Sequence, residues 1–454
     1  MSFVNRTGEL AALDRWWSTS TGIALVWGRR RVGKTALIQR FARGKPTVFH
    51  TGAGRPLADE LRILTDEATK VADLERRNAR IRPFTDWDDA LAGLADVRSP
   101  SLLILDEFPE LTRTYPALPS VLRAWLDRER GRTALRILVC GSAVRTMEAM
   151  QDERSPLFGR IDLPLLVHPF RPREASTMLR VLDPASRALV WGVAGGMPLY
   201  LSWWDQTEPV RSNLDRLVCA PGAPMLTEGQ LVLATEGESG ELGGLVLRAI
   251  AAGRTKHHEI EQAVRAEPAR TLDRLAELRL VERVVPITEN PRRTKRTVYR
   301  IADNFLRFWL TLVERHRGEI ERGLGGSIVG SIERGLDDHM GAAWEEAFRD
   351  HLRHLAVTGQ MPEEVEAIGP WWDRDGENEI DAVALAGVDQ AAILVGEAKW
   401  ARGVNGARIV SSLTAKAGQL PAVRKHLELA VCAREEIKKP PPGARTYSAV
   451  DLFP

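Results

Sequence analysis

The eight residues Gly28-Arg29-Arg30-Arg31-Val32-Gly33-Lys34-Thr35 constrain this chain more than any other stretch. They follow a short apolar run, Gly22 to Trp27, that predicts a buried strand. They precede Ala36 to Ala42, whose spacing predicts a helix. The pattern G-x-x-x-x-G-K-[ST] in that context is the loop that cradles nucleotide phosphates. Gly28 and Gly33 let the backbone turn so that successive N–H groups face one concavity, and the helix N-terminus adds partial positive charge. Arg29, Arg30, Arg31, Val32 and Ala36 complete the expected ATP-binding backbone. Lys34 is placed to reach the β- and γ-phosphates, and the Thr35 hydroxyl to ligate Mg²⁺.

A second stretch completes that site. Ser101 to Asp106 predicts a central strand, with Asp106 and Glu107 at its C-terminal end. In an open parallel sheet that edge is where ligands sit. Asp106 is expected to hold Mg²⁺ through water, and Glu107 to polarise the attacking water, which implies hydrolysis and not binding alone. Ile137 to Ser142 predicts the next buried strand, with Ser142 either a γ-phosphate sensor or a helix cap. Arg160, in the turn Ser155 to Arg160, is either an arginine finger or a surface charge.

At 454 residues the chain is long enough for two to four domains. Lys and Arg (63) nearly balance Asp and Glu (61), so any nucleic-acid surface must be local. Three widely spaced cysteines match no zinc pattern and fit a reducing compartment. Met1 to Leu10 lacks the apolar core of a signal peptide, and no apolar run approaches the ~20 residues of a membrane span. The expectation is a cytoplasmic protein with no membrane partner.

Along the rest of the chain, Thr7 is the expected cap of a first helix carrying Leu10, Leu13 and Trp16, and Thr47 to His50 a second strand. Two helical stretches follow, interrupted near Arg76 to Pro83. Residues 171–235 predict a small helical lid, with a turn at Ala194 to Tyr200, and Glu236 to Gly244 a linker. Leu245 to Ile301 then reads as helix–turn–helix and hairpin. Its helices start near Leu245, after a Thr255 cap, and at Ala269; its strands are Leu280–Val285 and Thr297–Ile301. That is the pattern of a winged helix. Arg270 and Arg274 on the third helix can face a major groove, and Arg292, Arg293, Lys295 and Arg296 on the wing can meet phosphates of double-stranded DNA. The competing reading is a winged helix that only supports the lid or an oligomer. Asp303 to Arg322 predicts a long helix whose Phe305, Phe308 and Trp309 fit core packing.

The C-terminal third holds another constellation. Ala342 to His354 predicts an amphipathic helix with Glu345 and Glu346; Glu379 to Leu385 a strand containing Asp381; and Ala391 to Lys399 a buried strand ending in Glu397-Ala398-Lys399. Alternation puts Glu397 and Lys399 on one face. Asp381 and Glu397 suit a hard divalent cation, Mg²⁺ or Mn²⁺, and Lys399 suits water orientation or stabilisation of phosphorane charge. A helix with Lys416 and Gln419 follows. The order predicts a nuclease-type fold, with cleavage either retained or lost.

Residues 1–235 resemble the archaeal-type ATPases of the AAA+/P-loop superfamily, through F-V-N-R-T-G-E-L, G-R-R-R-V-G-K-T, L-L-I-L-D-E-F and G-G-M-P-L-Y in order. Residues near 300–400 resemble the DUF234 domain fused to such ATPases, through Y-R-I-A-D-N-F-L-R-F-W, E-I-D and G-E-A-K-W, and this part is similar to PD-(D/E)xK nucleases. The resemblance implies an α/β fold with a P-loop NTPase parallel sheet over 1–170 and a helical lid over 171–240. It further implies a winged helix over 241–302 and a restriction-endonuclease-like domain over 303–454. It implies Arg6 near the adenine entrance, an ATP–Mg²⁺ site at Gly28, Gly33, Lys34, Thr35, Asp106 and Glu107, and a nuclease-like site at Glu345, Asp381, Glu397 and Lys399. Three functions follow as alternatives. One is an ATP-driven enzyme acting on DNA; another is a nucleotide-gated DNA-binding protein with an inactive nuclease fold. The third is a signalling or defence switch that binds a protein partner or a second copy of itself.

Overall fold

Every residue of Ile23–Trp27 (β1) is buried. A strand with no solvated face belongs in the interior of a parallel sheet. β1 lies inside a five-stranded sheet with β2 (Thr47–Thr51), β3 (Ser101–Asp106), β4 (Leu135–Gly141) and β5 (Ile161–Leu166), in the order β2-β3-β4-β1-β5. All four pairings are parallel. β4 stands between β1 and β3, so the loops leaving these three strands open side by side at one sheet edge. The computed structural model describes residues 3–20, 22–74, 81–95, 101–129, 131–235 and 240–454. The expected interruption at 76–80 and linker residues 236–239 lie outside them.

The chain divides into two compact units, Met1–Pro169 and Phe170–Pro454. In the first, Trp87, Leu91, Leu122 and Trp125 join Leu103, Leu105, Ile137 and Val139 in one apolar cluster. Each such side chain contributes about 1.5–3 kcal/mol on burial. The first helix, Thr7–Thr19, is not capped by Thr7: the cap is Arg6, left-handed at φ 62°, with no capping side chain. The sequence pattern does not announce β5. It is an edge strand of alternating burial that accommodates Pro164, whose missing N–H is tolerated there.

In the second unit the expected lid, winged helix and C-terminal domain pack as one compact body. Helices Pro184–Ala194 and Pro198–Trp203 belong to the lid segment. Gly240–Ala251 begins within the expected linker, and its Gly243 is buried. His257–Val264 and Ala269–Glu277 follow, then an antiparallel hairpin of β6 (Val281–Val284) and β7 (Val298–Ile301). Thr255 does not cap the second of these helices. Glu259 reaches back to the N–H groups of Thr255 and Lys256 instead.

The expected long helix after Asp303 is broken into short segments. Asn304–Phe308 gives way to a π-turn at Trp309–Val313, and Gly323 at φ 88° ends regular winding further on. Phe305, Phe308 and Trp309 are core residues, and the Trp309 indole N–H donates to the Leu226 carbonyl. Among the described residues no single helix is long and apolar enough to cross a membrane.

The helix Leu336–Val357 leads into β8 (Val365–Trp372), β9 (Glu379–Ala386) and β10 (Ala391–Lys399), an antiparallel meander. A short β11 (Gly403–Asn405) and helix Gly406–Ala417 carry the chain to β12 (Val423–Ala433), parallel to β10. β13 (Glu436–Lys438) pairs with β11, and β14 (Arg445–Tyr447) completes the main sheet in the order β14-β12-β10-β9-β8. Ile287, in the hairpin connection, donates its N–H to the Pro370 carbonyl and packs on the core of this sheet.

Candidate functional site

The loop after β1 can be built only with glycine at its first position. Gly28 has φ 152°, and a Cβ there would lie 2.3 Å from the Val167 carbonyl oxygen. Gly33, at φ 91°, precedes the helix Lys34–Ala42. Between them the side chains divide. Arg29 and Val32 are buried, whereas Arg30 and Arg31 are exposed. Arg6 braces the loop from behind: its guanidinium donates to the Val32 carbonyl at 2.9 Å and pairs with Glu9 at 2.8 Å. The Arg6 side chain is 4% exposed. In this geometry it positions the loop.

Lys34 is buried and its ammonium donates to the carbonyls of Gly28 and Arg29 at 2.9 and 3.0 Å. That holds a positive charge at the mouth of the loop. The Thr35 hydroxyl donates to Asp106 at 3.1 Å, bringing the two expected Mg²⁺ ligands together although they are 71 residues apart. Glu107 sits at φ 48° as the cap of the helix Phe108–Thr114. Left-handed backbone at a bulky residue is strained, and such strain persists where surroundings over-determine it. It turns the Glu107 carboxylate toward the end of β4, where Ser142 donates to it at 3.1 Å. Ser142 is therefore neither free nor a helix cap; the next helix is capped by Ala143 without a side-chain bond. Beneath them burial, with Asp106 beside it, pushes the Cys140 thiol far up, so it stays protonated.

These residues fit a magnesium nucleotide. The loop's N–H groups and Lys34 suit phosphate oxygens, Thr35 and Asp106 suit a hard cation, and Glu107 is poised over the same sheet edge to take up a proton from water. A bound Mg²⁺–ATP would supply the transferable phosphoryl group and its charge neutralisation. Ser142 keeps Glu107 oriented. Arg160 is turned elsewhere: it makes a two-pronged pair with Asp127, at 3.1 and 3.0 Å.

A second cluster forms on the C-terminal sheet. Asp381 on β9 accepts the Ala398 N–H at 2.8 Å, which locks it beside the Glu397-Ala398-Lys399 run of β10. Lys399 lies 2.7 Å from Glu397 and 3.8 Å from Asp381. Lys416, from the helix Gly406–Ala417, donates to the other Glu397 oxygen at 3.1 Å. Burial first, then the neighbouring Glu345 charge, pushes the Asp381 carboxyl up to about 7, against the pull of Lys399. Burial opposes ionisation of Lys399 as well, but Asp381 and Glu397 outweigh it and raise its pKa. Two ammonium groups thus neutralise Glu397, and among the described residues no three His, Cys, Asp or Glu side chains gather as a metal cage.

Two arginines that the sequence pattern does not single out hold the cluster. Arg349, one helical turn beyond Glu345, lies 3.7 Å from it and donates to the Asp381 carbonyl at 2.8 Å. Its i,i+4 spacing from Glu345 is the available signal. Arg300 of β7 lies 3.8 Å from Glu345, an approach no local pattern announces. Of the expected DNA-facing residues, Arg270, Arg292, Arg293 and Lys295 are exposed and Arg274 is half-buried. Arg296 is turned inward: it pairs with Glu289 and donates to the Trp372 carbonyl at 2.9 Å, so it ties the hairpin connection to β8.

The sheet, its loop and the carboxylates at its edge define a P-loop ATPase. Residues 3–203 match the family described as an ATPase domain predominantly from Archaea, and residues 309–411 match DUF234, archaeal and bacterial proteins of unknown function. The uncharacterized protein MJECL04 of Methanocaldococcus jannaschii is 26% identical over 413 residues, covering 88% of this chain and 87% of that protein. The uncharacterized ATP-binding protein MJ0423 of the same organism is 48% identical over 44 residues, 10% of this chain and 75% of that protein. The Walker-type ATPase PABY2304 of Pyrococcus abyssi shares the fold, with a TM-score of 0.51 and 19% identity over 68% of this chain and 96% of that one.

Proposed function

We propose that nucleotide state in the ATPase unit controls a DNA-acting C-terminal unit, in which Gly240–Ala251 to β7 serves as a winged helix and the sheet after it as a nuclease-like domain. The observation that supports this reading most is the convergence of Asp381, Glu397 and Lys399. They meet at one place in a helix–meander–helix–strand arrangement, with Lys399 next to both carboxylates. A lysine beside two carboxylates at a sheet edge suits a scissile phosphodiester.

A second reading, in which the domain holds DNA without cutting it, is favoured by Lys416. Its ammonium takes the remaining Glu397 oxygen and adds positive charge where a cation is otherwise needed. Incubating the full chain with linear and supercoiled DNA in Mg²⁺ or Mn²⁺, beside Lys399→Ala, separates the two. Cleavage lost in Lys399→Ala supports the nuclease; DNA binding without cleavage supports the holding role. Absence of both removes the DNA-acting proposal and leaves a protein-partner switch.

A further inference from the structure

Between the hairpin and the turn joining β8 to β9 the second unit has a cleft of about 580 Å³. Lys256, Lys295, Arg296, Arg300 and Arg374 line it, against the two carboxylates of Asp375 and Glu379. Arg296 is committed to Glu289 and Trp372, and Arg300 faces Glu345. Lys256, Lys295 and Arg374 make no ion pair among the described residues. Burial, and then the neighbouring Arg374 charge, lowers the Arg296 pKa, with Asp373 pulling the other way. Two aromatic residues, Tyr299 and Trp372, line the same cleft.

We infer that this cleft binds single-stranded DNA, and that the strand runs from it toward the Asp381–Glu397–Lys399 cluster. The inference rests on the DNA-acting reading and gives it a site and a substrate form. A cavity of this size takes a small ligand or a nucleotide or two, whereas a duplex needs a groove-wide surface. A basic channel with aromatic faces is the combination that holds single strands, phosphates on the cations and bases stacked on the rings. Continuity with the cluster comes from two residues. Arg300 lines the cleft and lies 3.8 Å from Glu345, whose charge acts on Asp381. Glu379 lines the cleft too, and Asp381 is two residues further along the same face of β9. The cleft is on the wing side of the module. The exposed third-helix residue Arg270, expected to face a duplex, is not part of its lining.

The test is fluorescence anisotropy of the full-length chain with a labelled oligo-dT strand and, separately, a labelled duplex of equal length, each across a salt series. The variants are Lys295→Glu with Arg374→Glu, and Arg270→Glu. Both alter exposed side chains, and thermal midpoints check folding; if the double variant fails to fold, Lys256→Glu replaces it. The expected result is oligo-dT binding whose log–log salt slope is shallower by about 1.4 in the double variant, at about 0.7 for each phosphate no longer neutralised. Arg270→Glu should leave that slope unchanged. Oligo-dT binding unaltered in the double variant overturns the cleft while leaving the DNA-acting reading intact. Loss of duplex binding alone overturns the single-strand assignment. No nucleic-acid binding by the wild type overturns both.

Discussion

Arg6→Ala probes whether the phosphate loop is held from behind. In the structure Arg6 donates to the Val32 carbonyl and pairs with Glu9, and both Arg6 and Val32 are buried. Truncation leaves that carbonyl without its donor, at a cost of about 1–3 kcal/mol. The loop between two left-handed glycines then loses its anchor, so nucleotide must reorder it on binding. At about 1.4 kcal/mol per tenfold, affinity should fall roughly fivefold to hundredfold. The assay is titration with a fluorescent ATP analogue in Mg²⁺, with thermal unfolding of the nucleotide-free protein alongside. Glu9→Gln, which keeps the Arg6 bond to Val32, should weaken binding much less. Unchanged affinity and unchanged melting in Arg6→Ala would refute the bracing role.

Gly28→Ala places a Cβ 2.3 Å from the Val167 carbonyl at φ 152°; strain of about 1–3 kcal/mol should cut ATP binding roughly fivefold to hundredfold, read by the same titration. Lys416→Met takes one of two ammonium groups from Glu397, whose side chain is only 12% exposed; urea unfolding should show a loss of about 1.5–3 kcal/mol, and a change under about 0.5 would mean Lys399 alone suffices. His339 is held neutral by burial, with Arg307 nearby, and its pKa is lowered to about 3 from 6.5. Below pH 6.5 the unfolded chain therefore takes up a proton that the folded chain refuses. Stability should fall by about 1.4 kcal/mol per pH unit from there toward about pH 3, and be unaffected above about 6.5. His339→Gln should flatten that part of the pH profile, and an identical slope in the variant would contradict it.

What the sequence revealed was local. β1, the phosphate loop and β3 announce themselves because each is a contiguous apolar run or a fixed spacing. The meander strands β9 and β10 are legible for the same reason. β5 is not: edge strands alternate and tolerate proline, so Ile161–Leu166 lacks the signature of its buried neighbours. Thr7 and Thr255 look like caps, but capping depends on backbone geometry: Arg6 and Lys256 take those positions, and Glu259 bonds back to the Lys256 N–H. Arg296 looks like a phosphate ligand because it lies in a basic run. Its partners, Glu289 and the Trp372 carbonyl, include one 76 residues away. The links that join the hairpin segment to the C-terminal domain, Arg300 with Glu345 and Ile287 with Pro370, are likewise products of packing and leave no periodic trace.

The most direct test of nucleotide control over a DNA-acting unit is ATP hydrolysis by the wild type and by Glu107→Gln, with and without single- and double-stranded DNA. Glu107 is oriented by Ser142 at the sheet edge, so its amide replacement should bind nucleotide yet lose hydrolysis by about 10²–10⁴-fold. DNA should stimulate wild-type hydrolysis and should fail to rescue the Glu107→Gln variant. Hydrolysis that is indifferent to every DNA form would contradict control of a DNA-acting unit by the nucleotide site.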